Sequence, residues 1–112
     1  MKIIQAIINP YALDNVREAL SELGEFGMTA TEVKGYGRQK GHTETYRGTE
    51  YEISYVPKIM IEIAASDDQV DDIVQCIIGG AKSEKIGAGK IFILPLEEVV
   101  RVRTSETGDS AI

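Results

Sequence analysis

The segment 57–80 constrains the fold most, because a strand pattern changes into a helix pattern within it. Isoleucine occupies every second position after Pro57, from 59 to 63, which predicts a strand with one apolar face. Ser66 and Gln69 have the spacing of a helix capping box, and we expect Gly79–Gly80 to end the helix. Between them runs an apolar stripe at helical spacing, formed by Val70, Ile73, Val74, Ile77 and Ile78.

The same order of strand and helix occurs in the first part of the chain. Residues 2–8, KIIQAII, form a β-branched apolar run, and Pro10 opens a helical pattern that Gly24 ends. Further strands are predicted at 28–35 and 91–96. The order β-α-β, β-α-β predicts the ferredoxin-like α+β fold, in which two helices cover one face of a four-stranded antiparallel sheet.

The first strand is apolar on both faces, although two helices can cover only one face of such a sheet. Ile3 and Ile7 lie on one side of the strand, and Ile4, Ala6 and Ile8 lie on the other. Exposed apolar patches of this size mark interfaces, so we expect self-association into a symmetric oligomer.

Composition indicates one intracellular domain. The chain has 112 residues, 43% of them hydrophobic, which suffices for one core. Cys76, the single cysteine, lies among apolar residues, and the sequence shows no membrane span or signal peptide, so we expect a cytoplasmic protein. A nucleic-acid partner is not expected, because the net charge is -6 and an RNA-binding sheet would need an aromatic-rich strand motif.

The basic residues are nevertheless clustered around glycine-containing segments. Ten of the twelve lysines and arginines lie in 34–58, 82–90 and 101–103. This clustering favours a compact anion over a polymer as the ligand. Arg101 and Arg103 are two apart on a segment that resembles a strand, so they would project to one side and clamp a polyanion, although a solvated face is the commoner role of such a pair.

The segment 83–90, SEKIGAGK, combines glycines with a lysine in the way that phosphate-binding loops do. Gly87 and Gly89 would let backbone N–H groups approach phosphate oxygens, and Lys90 would add a charge. The segment does not match the P-loop motif, which needs glycine at 84 and serine or threonine at 91. Taken alone, an ordinary turn with a solvated lysine explains it equally well.

Three segments, VREALSELG, GMTATEVKGYGRQKGHTETYRGTEY and EKIGAGKIF, follow one another in the order and spacing of a known family. By these motifs the chain resembles the nitrogen-regulatory PII signal proteins over essentially its whole length. The resemblance implies a single domain over 1–112, with a T-loop at about 37–55, a phosphate-binding B-loop at about 82–90 and a C-terminal segment at about 95–112. It also implies a homotrimer that binds ATP or ADP in each cleft between subunits.

The resemblance further implies ligand roles for named residues. Bound 2-oxoglutarate would lie next to Mg-ATP, Gln39 would complete the Mg²⁺ shell, and Lys58 would pair with one carboxylate of 2-oxoglutarate. The implied nucleotide-binding residues are Thr29, Gly37, Arg38, Gln39, Glu62, Ser83, Gly87, Ala88, Gly89, Lys90, Arg101 and Arg103, the last two from the adjacent subunit. The implied 2-oxoglutarate-binding residues are Gln39, Lys40, Gly41, Lys58 and Gly87.

The polar run from Gly35 to Tyr51 would form most of the T-loop, which in this family contacts partner proteins and changes shape with the bound ligand. Tyr51 matches a tyrosine that a uridylyltransferase modifies in many bacterial members. Arg47 matches an arginine that plugs the pore of an ammonium transporter, a contact that would bring the protein only peripherally to a membrane. Tyr46, Tyr51 and Tyr55 would equally suit contact with a partner.

The resemblance implies a regulator without catalytic residues. His42, the single histidine, lies in the polar run, and the glycine segment has no carboxylate pair, so a general base is lacking. The alternatives are a divergent paralogue acting on nitrogenase or another transporter, and a small ATP-hydrolysing enzyme on the same fold.

Four residues depart from the family pattern. Ala88 stands where Asp or Tyr is expected, Thr49 replaces Ala or Ser, and Asn9 replaces the usual lysine. Glu84, where glycine is common, places a negative charge near the expected phosphates. These departures leave open the partner, the modification of Tyr51 and the preference between ATP and ADP.

Overall fold

The computed structural model describes residues 1–36, 43–46, 49–52, 55–83 and 87–112. Four antiparallel strands form the main sheet in the order β2-β5-β1-β6, and two helices pack on one of its faces. The elements are β1 (Lys2–Ile8), α1 (Leu13–Leu23), β2 (Thr29–Tyr36), β3 (Thr43–Tyr46), β4 (Thr49–Glu52), β5 (Tyr55–Ala65), α2 (Val70–Ala81) and β6 (Gly89–Pro95). The predicted ferredoxin-like α+β fold is therefore confirmed. None of the helices in the described ranges is long and apolar enough to cross a bilayer.

The core lies between the helices and the facing side of the two central strands. Alternate residues of β1 and β5 point to the helices, because successive side chains of a strand lie on opposite faces. The best-buried side chains of this layer are Ile4, Ile8, Ile61 and Ile63 from the strands and Val16, Ile73 and Ile77 from the helices. The alternation at 59–63 is thus confirmed. The helical stripe after Ser66 is confirmed for Val70, Ile73 and Ile77, whereas Ile78 keeps 41% of its surface exposed.

The sequence pattern predicted the start of α2 correctly but not its end. The predicted capping box of Ser66 and Gln69 is present, with the N–H of Ser66 donating to Oε1 of Gln69 at 3.3 Å. The prediction that Gly79–Gly80 ends the helix is wrong, since α2 continues to Ala81. A Cβ built at Gly80 would lie 2.8 Å from Cα of Val16, so this glycine allows α1 and α2 to approach closely.

The other face of the sheet is only partly covered within the described part of the chain. Ile3, Ile7 and Met60 are half-buried there, and Phe92 and Leu94 of β6 keep 46% and 41% of their surface exposed. The apolar second face predicted from β1 is confirmed, and the oligomer that would cover it remains a prediction. We call this surface the open face.

The segment after β6 folds back on itself. Val100 forms an isolated bridge with Thr107, the N–H of Ser105 donates to the carbonyl of Arg101 at 2.8 Å, and a short 3-10 helix spans Gly108–Ala111. The predicted strand-like alternation at 100–103 is therefore wrong, because a turn interrupts the extended backbone at 102–104.

A hairpin forms within the polar run, for which the sequence predicted no secondary structure. β3 and β4 pair antiparallel, separate from the main sheet, with Thr43 opposite Glu52 and Tyr46 opposite Thr49. Threonine and tyrosine favour strands and recur in TETY and TEYE. Because the run lacks an apolar face, this propensity alone did not predict strands there.

Candidate anion-binding site at one end of the sheet

Three segments of the chain meet where β1 ends. Ile8, its last residue, lies opposite Ile59 of β5 on one side and opposite Gly89 of β6 on the other. Asn9 follows directly and is therefore placed beside Lys58 and the loop that leads into β6. The antiparallel register thus brings together residues that are far apart in the sequence.

Lys58 is the one buried charged residue among the residues whose burial is described, with 7% of its surface exposed. Its ammonium nitrogen, Nζ, donates to Oδ1 of Asn9 and to the carbonyl of Gly87, each at 2.5 Å. Both acceptors are neutral, and a buried charge is costly unless a counter-charge compensates it. The arrangement therefore favours a negatively charged group beside Lys58.

Gly35 gives the Lys58 side chain its room. The two residues lie on neighbouring strands, and a Cβ at Gly35 would come within 3.2 Å of Cγ of Lys58. Gly35 is not among the site residues that the family resemblance implies. The available signal was a glycine inside a strand pattern, which often marks the close approach of another group.

The loop before β6 depends on glycine at two positions. Gly87 and Gly89 have φ angles of 95° and 128°, in the region that side chains disfavour. A Cβ at Gly89 would lie only 2.0 Å from the carbonyl oxygen of Ile7. Ala88 between them is half-buried, and Lys90 is exposed on the open face. We call residues 87–90 the glycine loop.

Two cavities flank this region. One of about 220 Å³ lies under the glycine loop and is bordered mainly by aliphatic residues, among them Ile8, Ile77 and Ile91. Lys58 borders a second cavity of about 760 Å³, together with Pro10, Glu32, Val33, Lys34, Pro57 and Ile59. In the register of β2 and β5, Glu32, Lys34, Pro57 and Ile59 share the helix face, so this cavity opens mainly on the face opposite the Lys58 side chain.

Thr29 and Glu62, which the resemblance assigns to nucleotide binding, form a second pair on the open face. They are directly opposite each other in the register of β2 and β5. Nε2 of Gln5 donates to Oε2 of Glu62 at 3.5 Å. The four residue steps that separate Glu62 from Lys58 along β5 span about 13 Å, so the two groups could contact different parts of an extended ligand.

Arg101 and Arg103 lie in the segment that follows the far end of β6. The seven residues of β6 span about 20 Å, and the N–H of Leu96 donates to the carbonyl of Met1 at 3.1 Å. The guanidinium group of Arg101 pairs with Glu106 at 3.3 Å and donates to the carbonyls of Ser110 and Ile112 at 3.3 and 3.4 Å. One chain therefore does not bring these arginines to its own glycine loop.

Six of the predicted site residues lie outside the described residues: Gly37, Arg38, Gln39, Lys40, Gly41 and Arg47. Tyr51 belongs to β4, where its main chain pairs with Glu44. Ser83 is half-buried just after α2. Within the described ranges, no group of three or more His, Cys, Asp or Glu residues is arranged to hold a metal ion.

The fold and the site define a class of protein. It is a ferredoxin-like α+β protein with a buried ammonium group beside a glycine loop, at one end of a sheet whose second face is partly apolar. Residues 1–106 match the family model described as "Nitrogen regulatory protein P-II". The chain belongs to this family.

Relatives at more than half identity support the assignment over the full length. The chain is 58% identical to the nitrogen regulatory protein P-II of Klebsiella oxytoca and 56% identical to that of Rhizobium etli. It is also 58% identical to the nitrogen regulatory protein P-II 1 of Escherichia coli K12. Each match spans all 112 residues and covers 100% of both chains. All three relatives are named as regulatory proteins.

Proposed function

We propose that the protein signals nitrogen, carbon and energy status by binding ATP or ADP and, together with Mg-ATP, 2-oxoglutarate. The ligands would bind in clefts between the subunits of a homotrimer, and the T-loop at about 37–55 would regulate partner proteins. One observation carries the proposal: the buried ammonium group of Lys58 has two neutral acceptors and adjoins the glycine loop.

The chemistry of Lys58 suits a dicarboxylate. A lysine ammonium group has three N–H donors, and Asn9 and Gly87 accept from two of them. A ligand carboxylate that took the third would supply the missing negative charge in a site of low polarity, where charge-assisted hydrogen bonds are strong. Lys40 and Gly41 would add further contacts to 2-oxoglutarate, as the family resemblance implies.

The nucleotide would lie along the open face. Thr29 and Glu62 would place the adenine, and the glycine loop with Lys90 would receive the phosphates together with Gly37 and Arg38. Arg101 and Arg103 would come from the neighbouring subunit, which agrees with their distance from the glycine loop of their own chain. The apolar part of the open face would be buried by the same assembly.

Magnesium would enter with the nucleotide. Mg²⁺ takes oxygen ligands in octahedral geometry and is commonly held by phosphate oxygens with few protein groups. Phosphate oxygens and the amide oxygen of Gln39, a role that the family resemblance implies, are the proposed ligands.

The T-loop would carry the output. Arg47 would contact an ammonium transporter, the partner that would bring this cytoplasmic protein to a membrane, and Tyr51 would be the target of a uridylyltransferase. Enzymes and regulators of nitrogen metabolism are further candidate partners. The relatives are named as regulatory proteins, which supports a regulator and not an ATP-hydrolysing enzyme.

The proposal is tested by calorimetry on the purified protein. We expect 2-oxoglutarate to bind in the presence of Mg-ATP and not in its absence, because the two ligands would share the glycine loop and the metal. Light scattering in the same buffer should give the mass of three chains. Binding of 2-oxoglutarate that is equally strong without nucleotide would contradict the coupled sites.

A further inference from the structure

We propose that Asn9 is a positioning residue of the anion site, whose side-chain carboxamide fixes the Lys58 ammonium group without neutralising it. The inference rests on the proposed function and adds a residue to it. It starts from the hydrogen bond of 2.5 Å between Nζ of Lys58 and Oδ1 of Asn9.

The backbone of Asn9 is held on both sides. Ile8, the preceding residue, is paired with both neighbouring strands. Pro10 follows, and a proline restricts the residue before it to extended conformations, as the φ and ψ of -69° and 142° at Asn9 show. The carbonyl of Asn9 also accepts the N–H of Ala12 at 2.9 Å. The carboxamide therefore projects from a fixed position.

The orientation of the carboxamide is also determined. An ammonium group can only donate, so the group that faces Lys58 must be the oxygen Oδ1. The other end, Nδ2, donates to the hydroxyl oxygen of Tyr11 at 3.1 Å. Both ends of the side chain thus have partners, and the two bonds together exclude the flipped orientation.

The neutrality of Asn9 has a consequence for the ligand. Asn9 and Gly87 hold two of the three N–H groups of Lys58 and direct the third, yet neither cancels its positive charge. An aspartate at position 9 would keep the shape of the side chain and neutralise the positive charge of Lys58. An alanine would leave that charge in place and remove the hydrogen bond that orients the Lys58 ammonium group.

The two substitutions separate positioning from simple packing. We expect Asn9→Ala to weaken 2-oxoglutarate binding about 3- to 10-fold, because one hydrogen bond that orders a charged donor is lost. We expect Asn9→Asp to weaken it about 30-fold or more, because the new carboxylate pairs with Lys58 and repels the ligand. If Asn9 served packing alone, the nearly isosteric aspartate would be the milder change.

The measurement is calorimetric titration of 2-oxoglutarate into the purified protein at saturating Mg-ATP. Asn15→Ala and Asn15→Asp, on the exposed side of α1, repeat the changes of size and charge away from the site and should leave the affinity within about twofold of wild type. Thermal melting and titration of ATP alone check that each variant is folded and binds nucleotide.

Two outcomes overturn the inference: an Asn9→Asp variant that binds at least as tightly as Asn9→Ala, or an Asn9→Ala variant that matches wild type. Failure of the wild-type protein to bind 2-oxoglutarate contradicts the proposed function instead. If the wild-type protein does not bind 2-oxoglutarate, the ligand-free protein provides a second test of the inference. The NMR signals of Lys58 Cε and Nζ should shift in Asn9→Ala and should not shift in Asn15→Ala. Unchanged Lys58 signals would overturn the positioning role by themselves.

Discussion

The Nζ atom of Lys58 donates to the carbonyl of Gly87 at 2.5 Å and so joins the central strand β5 to the glycine loop. A carboxylate that binds Lys58 and a phosphate that binds the glycine loop would therefore act on one connected element. Such a shared element is what two ligands need in order to influence each other's affinity.

Replacing Lys58 by methionine should separate ligand binding from stability. The buried ammonium group has neutral acceptors only, so its replacement removes a costly buried charge and leaves no counter-charge unpaired. We expect Lys58→Met to lose 2-oxoglutarate affinity by about 30-fold or more, with a melting temperature at or near that of wild type. Calorimetry and thermal denaturation measure the two effects.

Lys34→Met is the matched control for this experiment. Lys34 lies on β2 and is exposed, so its removal changes the net charge equally. If Lys34→Met lowers the affinity as much as Lys58→Met, then overall charge and not the buried ammonium group governs binding.

The contact between α1 and α2 predicts opposite effects for two adjacent glycines. A Cβ at Gly80 would lie 2.8 Å from Cα and 2.9 Å from N of Val16, whereas at Gly79 no atom lies within 4 Å. Gly80→Ala should lower the free energy of unfolding by about 1–3 kcal/mol through overpacking. Gly79→Ala should raise it by up to about 1 kcal/mol, because alanine favours a helix more than glycine does.

Urea denaturation at fixed protein concentration measures both variants. Equal stabilities of Gly79→Ala and Gly80→Ala would show that the helices can move apart without cost. The sequence alone suggested that both glycines end the helix, and only the packing of α2 on α1 distinguishes them.

These examples show which parts of the molecule could be predicted from sequence. The central strands and the apolar stripes of the helices were predictable because burial imposes a period of two or 3.6 residues on them. The partners of Lys58 were not, because Asn9 lies 49 positions away and meets it only through strand register. The turn around Arg101 could not be predicted, because Val100 and Val102 alternate with arginines as in a strand. Main-chain hydrogen bonds of Arg101 with Ser105 and Glu106 form a turn there instead.

Asp67 should make stability depend on pH. Its carboxylate accepts a hydrogen bond from the amino group of Met1 at 2.9 Å, and this bond, the charge of the amino group and the charge of Lys2 hold the pKa of Asp67 below its usual value. A lowered pKa in the folded state stabilises the fold at pH above the ordinary carboxyl range, and the contribution is lost as pH falls through the lowered value.

We therefore expect Asp67→Asn to lower the melting temperature at pH 7 and to converge on wild type at a pH below the lowered pKa. The effect should be small, since the Asp67 side chain is largely exposed. Asp71→Asn removes a charge from the first turn of α2 and controls for loss of the interaction with the helix dipole. A constant difference between Asp67→Asn and wild type across the pH range would contradict the ion pair.

The open face predicts where a charge will break the proposed trimer. Phe92 and Ile93 are neighbours on the edge strand β6, with 46% and 50% of their surface exposed, and they point to opposite faces of the sheet. Phe92→Glu would bury a carboxylate in the subunit interface, so we expect it to give monomers in light scattering at micromolar concentration. Ile93→Glu makes the same chemical change on the helix side and should remain trimeric. Only the variant whose new carboxylate lies in the interface should lose the assembly. If the Phe92→Glu protein stays trimeric and the Ile93→Glu protein dissociates, the subunits associate through the other side of β6.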